Sequence, residues 1–210
     1  MSVKEPSGFY YPNKMGRIYI LGIEEVLGKN GLNAVLHLAK LDRLIDKYPP
    51  NNLDREFDFA DLAALDAALD DMVGPRGGRA LSLRAGQALF GQGLQGFAAF
   101  VGMADLAFRL LPLSIKMKVG LRAMAEVFSK FSDQKTHVVE KEERYLYVIE
   151  RCPVCWGRHA EKPVCHVATG IIMEGLKWIS GGKAYRVQET TCVARGDDAC
   201  TFEIQKQSIN

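Results

Sequence analysis

The sequence has no cysteine before Cys152, and it has no excess of either charge. Its 27 Lys and Arg stand against 25 Asp and Glu, for a formal net charge of +2 over 210 residues. That balance excludes the broad basic footprint of a nucleic-acid-binding chain. No run reaches the roughly 18 uncharged apolar residues of a membrane-spanning helix. The nearest stretch, Leu94 to Leu111, is broken by Gln95, Asp105 and Arg109. The opening Met-Ser-Val-Lys-Glu-Pro has no apolar run after Lys4, so no secretory signal is expected. What is present is ordinary for a globular protein: 48% apolar and 25% charged residues, too apolar for a disordered chain. A protein of the reducing cytoplasm is expected.

The five cysteines are concentrated in the last third: Cys152-Pro-Val-Cys155, Cys165-His166, Glu189-Thr-Thr-Cys192 and Cys200. An odd number argues against a disulfide framework. Thiolates are strong zinc ligands, and a closed structural site takes four of them or their equivalents in a tetrahedron. Clustered thiols with an embedded Glu therefore point to a metal-held region, with Zn2+ favoured over an iron–sulfur cluster. The alternative is that the cysteines are small buried hydrophobes, as free Cys often is.

The chain divides into a helical part, residues 1–135, and an α+β part, residues 136–210, packed as one compact domain. Phe9 to Asn13 is an aromatic lead-in with a turn. Ile18 to Leu27 reads as a helix closed by Gly28, and a second helix runs from Gly31 to about Ala39. Phe57 to Met72 carries Phe59, Leu62, Leu65 and Leu69 at helical spacing, with acids expected on the other face. Gly74-Pro-Arg-Gly-Gly78 breaks it. Arg84 to Leu110 is a long apolar helix, and Pro112 separates it from another ending near Phe131. Gly91-Gln-Gly93-Leu-Gln-Gly96 has the letters of a dinucleotide fingerprint but lies inside a helical pattern without the strand that motif requires. His137 to Lys141 and Arg144 to Glu150 read as an antiparallel pair. Val164 to Ser180 reads as a helix ended by Gly181-Gly182, and Ala184 to Glu189 and Cys200 to Ile204 as two further strands. This order predicts an α+β fold, an antiparallel β-sheet packed against an N-terminal helical layer. In it Cys165 starts a helix, Glu189 and Cys192 close a strand, and Cys200 opens the next, so these groups can converge on one ion.

Cys165-His-Val-Ala-Thr-Gly170-Ile-Ile-Met-Glu-Gly175 and Glu189-Thr-Thr-Cys192-Val-Ala-Arg-Gly196-Asp-Asp-Ala-Cys200-Thr-Phe202 resemble the 4-vinyl reductase domain family over about Tyr145 to Ile204. The resemblance implies a ligand-binding fold like that of transport protein particle subunits. It also implies zinc ligands at Cys165, Glu189, Cys192 and Cys200, and a single structural zinc per chain. Cys152 and Cys155 lie outside the family's pattern and stay open as alternative ligands or as a redox pair. Relatives include sensor domains for aromatic hydrocarbons and small proteins linked to bacteriochlorophyll synthesis.

Three functions follow as expectations. The first is binding of a small hydrophobic ligand, aromatic, lipid or tetrapyrrole-like, in a sensing or carrier role. Phe97, Phe100, Met103, Met124 and Phe128 would line the cavity, with Tyr145 or Trp178 closing it. Methionines adapt to irregular apolar shapes, and Gly86, Gly91, Gly93, Gly96 and Gly102 leave room beside them. The second is reduction of a tetrapyrrole vinyl group, or an accessory role in bacteriochlorophyll biosynthesis. That chemistry needs an electron source, and no nucleotide or flavin motif is visible. The third is an assembly or scaffold subunit. A homodimer is expected under any of them, and no catalytic residue is assigned.

Overall fold

In a computed structural model the chain is described over residues 5–101, 108 and 110–209, without the side chains at 75 and 98–101. Strand β1 (Tyr10–Pro12) pairs antiparallel with β2 (Arg55–Asp58). Helix α1 (Asn13–Leu38) lies between them in sequence, followed by a 3-10 turn at Asp42–Leu44. Helix α2 (Phe59–Val101) and helix α3 (Leu113–Phe131) complete the helical part. Strands β3 (Thr136–Glu140) and β4 (Arg144–Ile149), helix α4 (His166–Ser180), and strands β5 (Tyr185–Thr191) and β6 (Cys200–Ser208) follow. The four strands form an antiparallel sheet in the order β3-β4-β6-β5. This is the expected α+β arrangement, with helices packed on an antiparallel sheet. Among the described residues no helix is long and apolar enough to cross a membrane.

The helix boundaries follow the glycines. Gly28 adopts φ 68° and Gly74 φ 74°, and each bends a helix that continues on the far side. Positive φ costs glycine little and other residues much, so these two positions kink α1 and α2. Gly91, Gly93 and Gly96 sit within helical α2, consistent with their reading as helix rather than nucleotide loop. Strands β1 and β2 have no signature in the sequence, because three and four residues are too few to show alternation. They are fixed by tertiary contacts: Tyr10 N–H donates to Asp133 Oδ2 at 2.8 Å, and Asp58 Oδ1 accepts from the N–H of Ala60 at 2.7 Å.

The core joins both parts. Ile20, Ile23, Leu32 and Leu36 of α1 pack with Phe59, Leu62, Leu65 and Leu69 of α2, and Phe202 and Ile204 of β6 belong to the same cluster. Helix α4 buries Val167, Ile172 and Leu176 as its spacing predicts. Its crossing with α2 is backbone against backbone. A Cβ on Gly86 would strike the Val167 carbonyl oxygen, and one on Gly170 would strike that of Leu83. The room left by Gly86 is therefore filled by a neighbouring helix. Gly91 and Gly93 differ, since a Cβ at either would meet nothing within 4 Å.

Helix α2 departs from expectation at one acid. The spacing places its acids on the solvent face, yet Asp66 is only 2% exposed. With Leu62, Leu65 and Leu69 it completes an i, i+3, i+4, i+7 stripe, so it faces the core by geometry.

Candidate metal centre and apolar cavity

The sheet delivers the cysteines to one end. Ile149, the last residue of β4, pairs with Cys200, the first of β6. Beyond β4 the chain turns through Pro153 to Gly157, where the Trp156 N–H donates to the Pro153 carbonyl at 3.3 Å and that of Arg158 to the Cys155 carbonyl at 3.0 Å. That turn folds Cys152 and Cys155 back over the strand ends. Cys192 follows β5 at the start of a short 3-10 turn, Val193–Arg195, whose exit residue Gly196 has φ 93°. Asp197 Oδ2 accepts from the Cys192 N–H at 2.8 Å and holds this turn. Cys165 caps the N-terminus of α4, where the helix dipole favours a thiolate.

All five thiols are buried. Cys165 Sγ lies 3.6 Å from Cys152 Sγ, 3.6 Å from Cys200 Sγ and 3.8 Å from Cys192 Sγ. Cys155 and Cys200 are 3.5 Å apart, and Cys192 and Cys200 4.0 Å. A tetrahedral thiolate site with zinc–sulfur bonds near 2.3 Å has sulfur–sulfur edges of roughly 3.8 Å, so these separations suit a metal. Two quartets meet that geometry: Cys165, Glu189, Cys192 and Cys200, and Cys152, Cys155, Cys165 and Cys200, the ligand atoms of each lying within 4.8 Å of one another.

Glu189 supplies a second sign that a cation belongs here. Its Oε2 accepts from the Cys165 N–H at 2.9 Å, while Oε1 is buried with no partner. Burial, with the neighbouring Cys192 thiol, pushes this carboxyl up to about 8. A cation in the quartet would satisfy Oε1 and reverse that shift. The thiols show the same tension. Burial raises Cys165 and Cys152, while the proximity of Cys152 and Cys165 holds Cys155 well below the usual thiol range. So many buried sulfurs cannot all ionise without positive charge among them, so metal uptake must release protons. Of the two histidines near the cysteines, His159 is exposed and His166 half-buried, its pKa lowered by burial. Neither joins a quartet.

An apolar cavity of about 110 Å³ lies among the helices. Helix α2 lines it with Leu89, Phe90, Gly93, Leu94 and Phe97, and α3 with Met124, Val127 and Phe128. Tyr11, Met15, Ile18, Tyr19 and Ile171 close the other sides. Phe97, Met124 and Phe128, singled out from the sequence, are thus brought together. The Phe100 side chain and Met103 lie outside the described residues. Tyr145 and Trp178 are not in the lining. Tyr145 sits on the sheet under the Lys206 ammonium, 4.9 Å from its ring, and Trp178 stacks on Phe108 and meets Phe90 at 6.5 Å.

A polar chain connects the cavity wall to the cysteines. Tyr19 on the wall donates its hydroxyl to Asp66 Oδ1 at 2.5 Å. Asp70, one turn along α2, pairs with Arg158 Nη2 at 2.6 Å, and the Arg158 guanidinium acts electrostatically on both Asp66 and Cys165. Tyr11 donates to Gln134 Oε1. Asp66 and Arg158 escape a reading of the sequence. The position of Asp66 on the apolar stripe is an available signal; Arg158 offers none, since only the fold brings its loop against α2.

Burial pushes the Asp66 carboxyl up to about 8, against the pull of Tyr19 and Arg158. The unfolded value is near 3.9. The folded chain therefore holds a proton that the unfolded chain releases, and stability should fall as pH rises from about 4 to about 8. The slope is roughly 1.4 kcal/mol per pH unit. Asp66→Asn cannot lose that proton. Chemical denaturation of both proteins from pH 6 to 9, zinc held constant, should show the variant gaining on the wild type up to about pH 8. Parallel curves would remove Asp66 as the source.

Comparison with known proteins agrees with this picture. Residues 146–206 match the family model of the vinyl-4-reductase domain. An uncharacterized protein of Methanocaldococcus jannaschii is 32% identical over 78 residues, 37% of this chain and 42% of that protein. The chain thus spans less than half the length of that relative. Among solved structures, a doubly substituted variant of the Tt H-NOX protein is 12% identical, with 95% of this chain and 97% of that chain covered at a TM-score of 0.59. At that identity the likeness is one of fold. A vinyl-4-reductase family protein from Methanocaldococcus jannaschii is 18% identical, covering 56% of this chain and 79% of that chain at a TM-score of 0.36.

Proposed function

We propose that this chain, whose residues 146–206 carry a vinyl-4-reductase domain, binds a small hydrophobic ligand beside a zinc-held subdomain, as a sensor or carrier. The observation that carries the reading is the helix-walled cavity with Gly93 open on its face. Apolar pockets with few polar groups suit apolar ligands. Here the polar atoms nearest the lining are the hydroxyls of Tyr11 and Tyr19, both already donating. A volume of about 110 Å³ is on the scale of an engineered cavity that takes up benzene. One aromatic ring or a short acyl segment fits that scale better than a tetrapyrrole. H-NOX proteins are described with heme, but the described lining here has no histidine or cysteine for an iron, so a haem does not fit this cavity.

The metal in this reading is zinc on Cys165, Glu189, Cys192 and Cys200. It is structural, because four protein ligands leave no open position. A cytoplasmic homodimer belongs to the same reading, supported by Ile115 and Val119, exposed one turn apart on α3.

Ligand binding to the folded state raises the melting temperature by mass action. Substituted benzenes and medium-chain fatty acids should therefore shift the wild type upward. Gly93→Leu should do the reverse of what a loss of function usually does. It fills open space and replaces a poor helix former, so it should stabilise the free protein by about 1 kcal/mol, while abolishing the ligand shift. Calorimetric titration beside the melts checks both signs. A ligand shift that survives Gly93→Leu would move the binding site elsewhere.

A further inference from the structure

We propose that the cysteine centre holds two divalent cations rather than one, bridged by the thiolates of Cys165 and Cys200. The inference deepens the zinc reading above and rests on it for the first ion. The two quartets share Cys165 and Cys200 and no other residue. Five cysteines and one carboxylate therefore supply two complete sets of four, as two tetrahedra with a common edge. Cys152 and Cys155 terminate one ion, and Glu189 and Cys192 terminate the other.

The distances agree with an edge shared in this way. The common edge, Cys165 to Cys200, is 3.6 Å. The edges on the first side are 3.6 Å from Cys152 to Cys165 and 3.5 Å from Cys155 to Cys200. Those on the second are 3.8 Å from Cys165 to Cys192 and 4.0 Å from Cys192 to Cys200. Each is close to the roughly 3.8 Å edge of a zinc–thiolate tetrahedron, and bonds of about 2.3 Å to such an edge put the two ions roughly 3 Å apart. Bridging sulfur between them screens their repulsion.

Charge points the same way. With all six ligands of the two quartets ionised, one divalent ion leaves a net charge of −4 in a buried site, and two leave −2. The remainder has partners close by. Arg158 faces Cys165, the N-terminus of α4 begins at Cys165, and the Val193 N–H reaches Cys200 Sγ at 3.3 Å. With a single ion on the Glu189 quartet, Cys152 and Cys155 would remain as buried thiols in contact with bound thiolates. Their side chains would be aimed at sulfurs they do not help to ligate. The second ion gives both a role without moving any element.

The test uses the full chain reconstituted with 113Cd2+ in place of zinc, beside native mass spectrometry of the zinc form. Two ions per chain, with two 113Cd resonances coupled to each other through the bridging sulfurs, are expected. The pair Cys152→Ser and Cys155→Ser together should lose one ion and keep the other, as should Cys192→Ser alone. Cys200→Ser should lose both. One ion per chain with one resonance overturns the proposal and leaves the single-zinc reading standing. Absence of metal overturns both. Two uncoupled resonances, or stoichiometric iron with labile sulfide, overturn the bridge. The wild-type cadmium spectrum decides the matter even if a variant fails to fold.

Discussion

Stripping the metal with a strong chelator is expected to unfold the C-terminal sheet while leaving much of the helical part helical. Structural zinc is worth roughly 10 kcal/mol or more in small domains, as much as the whole stability of many proteins. Here its ligands join the end of β4, the start of α4, the end of β5 and the start of β6. Without it, those four junctions are held by a few backbone bonds, such as Ala160 N–H to the Ala194 carbonyl at 2.9 Å. They also confine five buried thiols and an unpartnered carboxylate oxygen. Hydrogen exchange should show protection lost first in β5 and β6 and around Cys155. Circular dichroism should lose more strand than helix. Cys192→Ser should cost at least as much as Cys152→Ser, because Cys192 also anchors the turn held by Asp197. An unchanged melting temperature in excess chelator would sink the structural role, and the opposite ranking would make the Cys152–Cys155 side the principal site.

Gly170→Ala should destabilise the protein by about 3 kcal/mol or more, at the top of the usual range for overpacking. For a chain of this size that is roughly 6–12 °C in melting temperature. Ordinary helix propensity predicts the opposite sign, since Ala is favoured over Gly in a helix by about 1 kcal/mol. The sign reverses because the new methyl meets the Leu83 carbonyl of α2, which belongs to backbone and cannot rotate away. Gly86→Ala strikes the Val167 carbonyl in the same crossing and should behave alike. Gly91→Ala is the control. It lies on the exposed side of α2 with nothing within 4 Å of its Cβ, and should stabilise by up to about 1 kcal/mol. Thermal melts of the three decide the matter. A stabilised Gly170→Ala would mean that α2 and α4 do not cross at close range.

The order of elements is written in the sequence itself, because apolar spacing at 3.6 and 2.0 residues is a local property. Helix α4 and the four strands of the sheet fall within a few residues of their expected limits, and the turns at Gly28, Gly74 and Gly181 lie where backbone freedom is needed. The residues that carry metal chemistry are legible there too, since thiols and an acid at strand and helix ends need only those elements to converge. Everything that depends on distant segments meeting was decided by the fold. The strands β1 and β2 exist only because each finds the other and the end of α3. Gly86 and Gly93 are near neighbours on one helix and read alike, yet one is filled by α4 and the other opens on a cavity. Cys152 and Cys155 could be left over or essential until the turn after β4 laid them against Cys165 and Cys200. Periodicity records which face of an element is buried, but not what buries it, and close approach between distant backbones leaves no periodic trace.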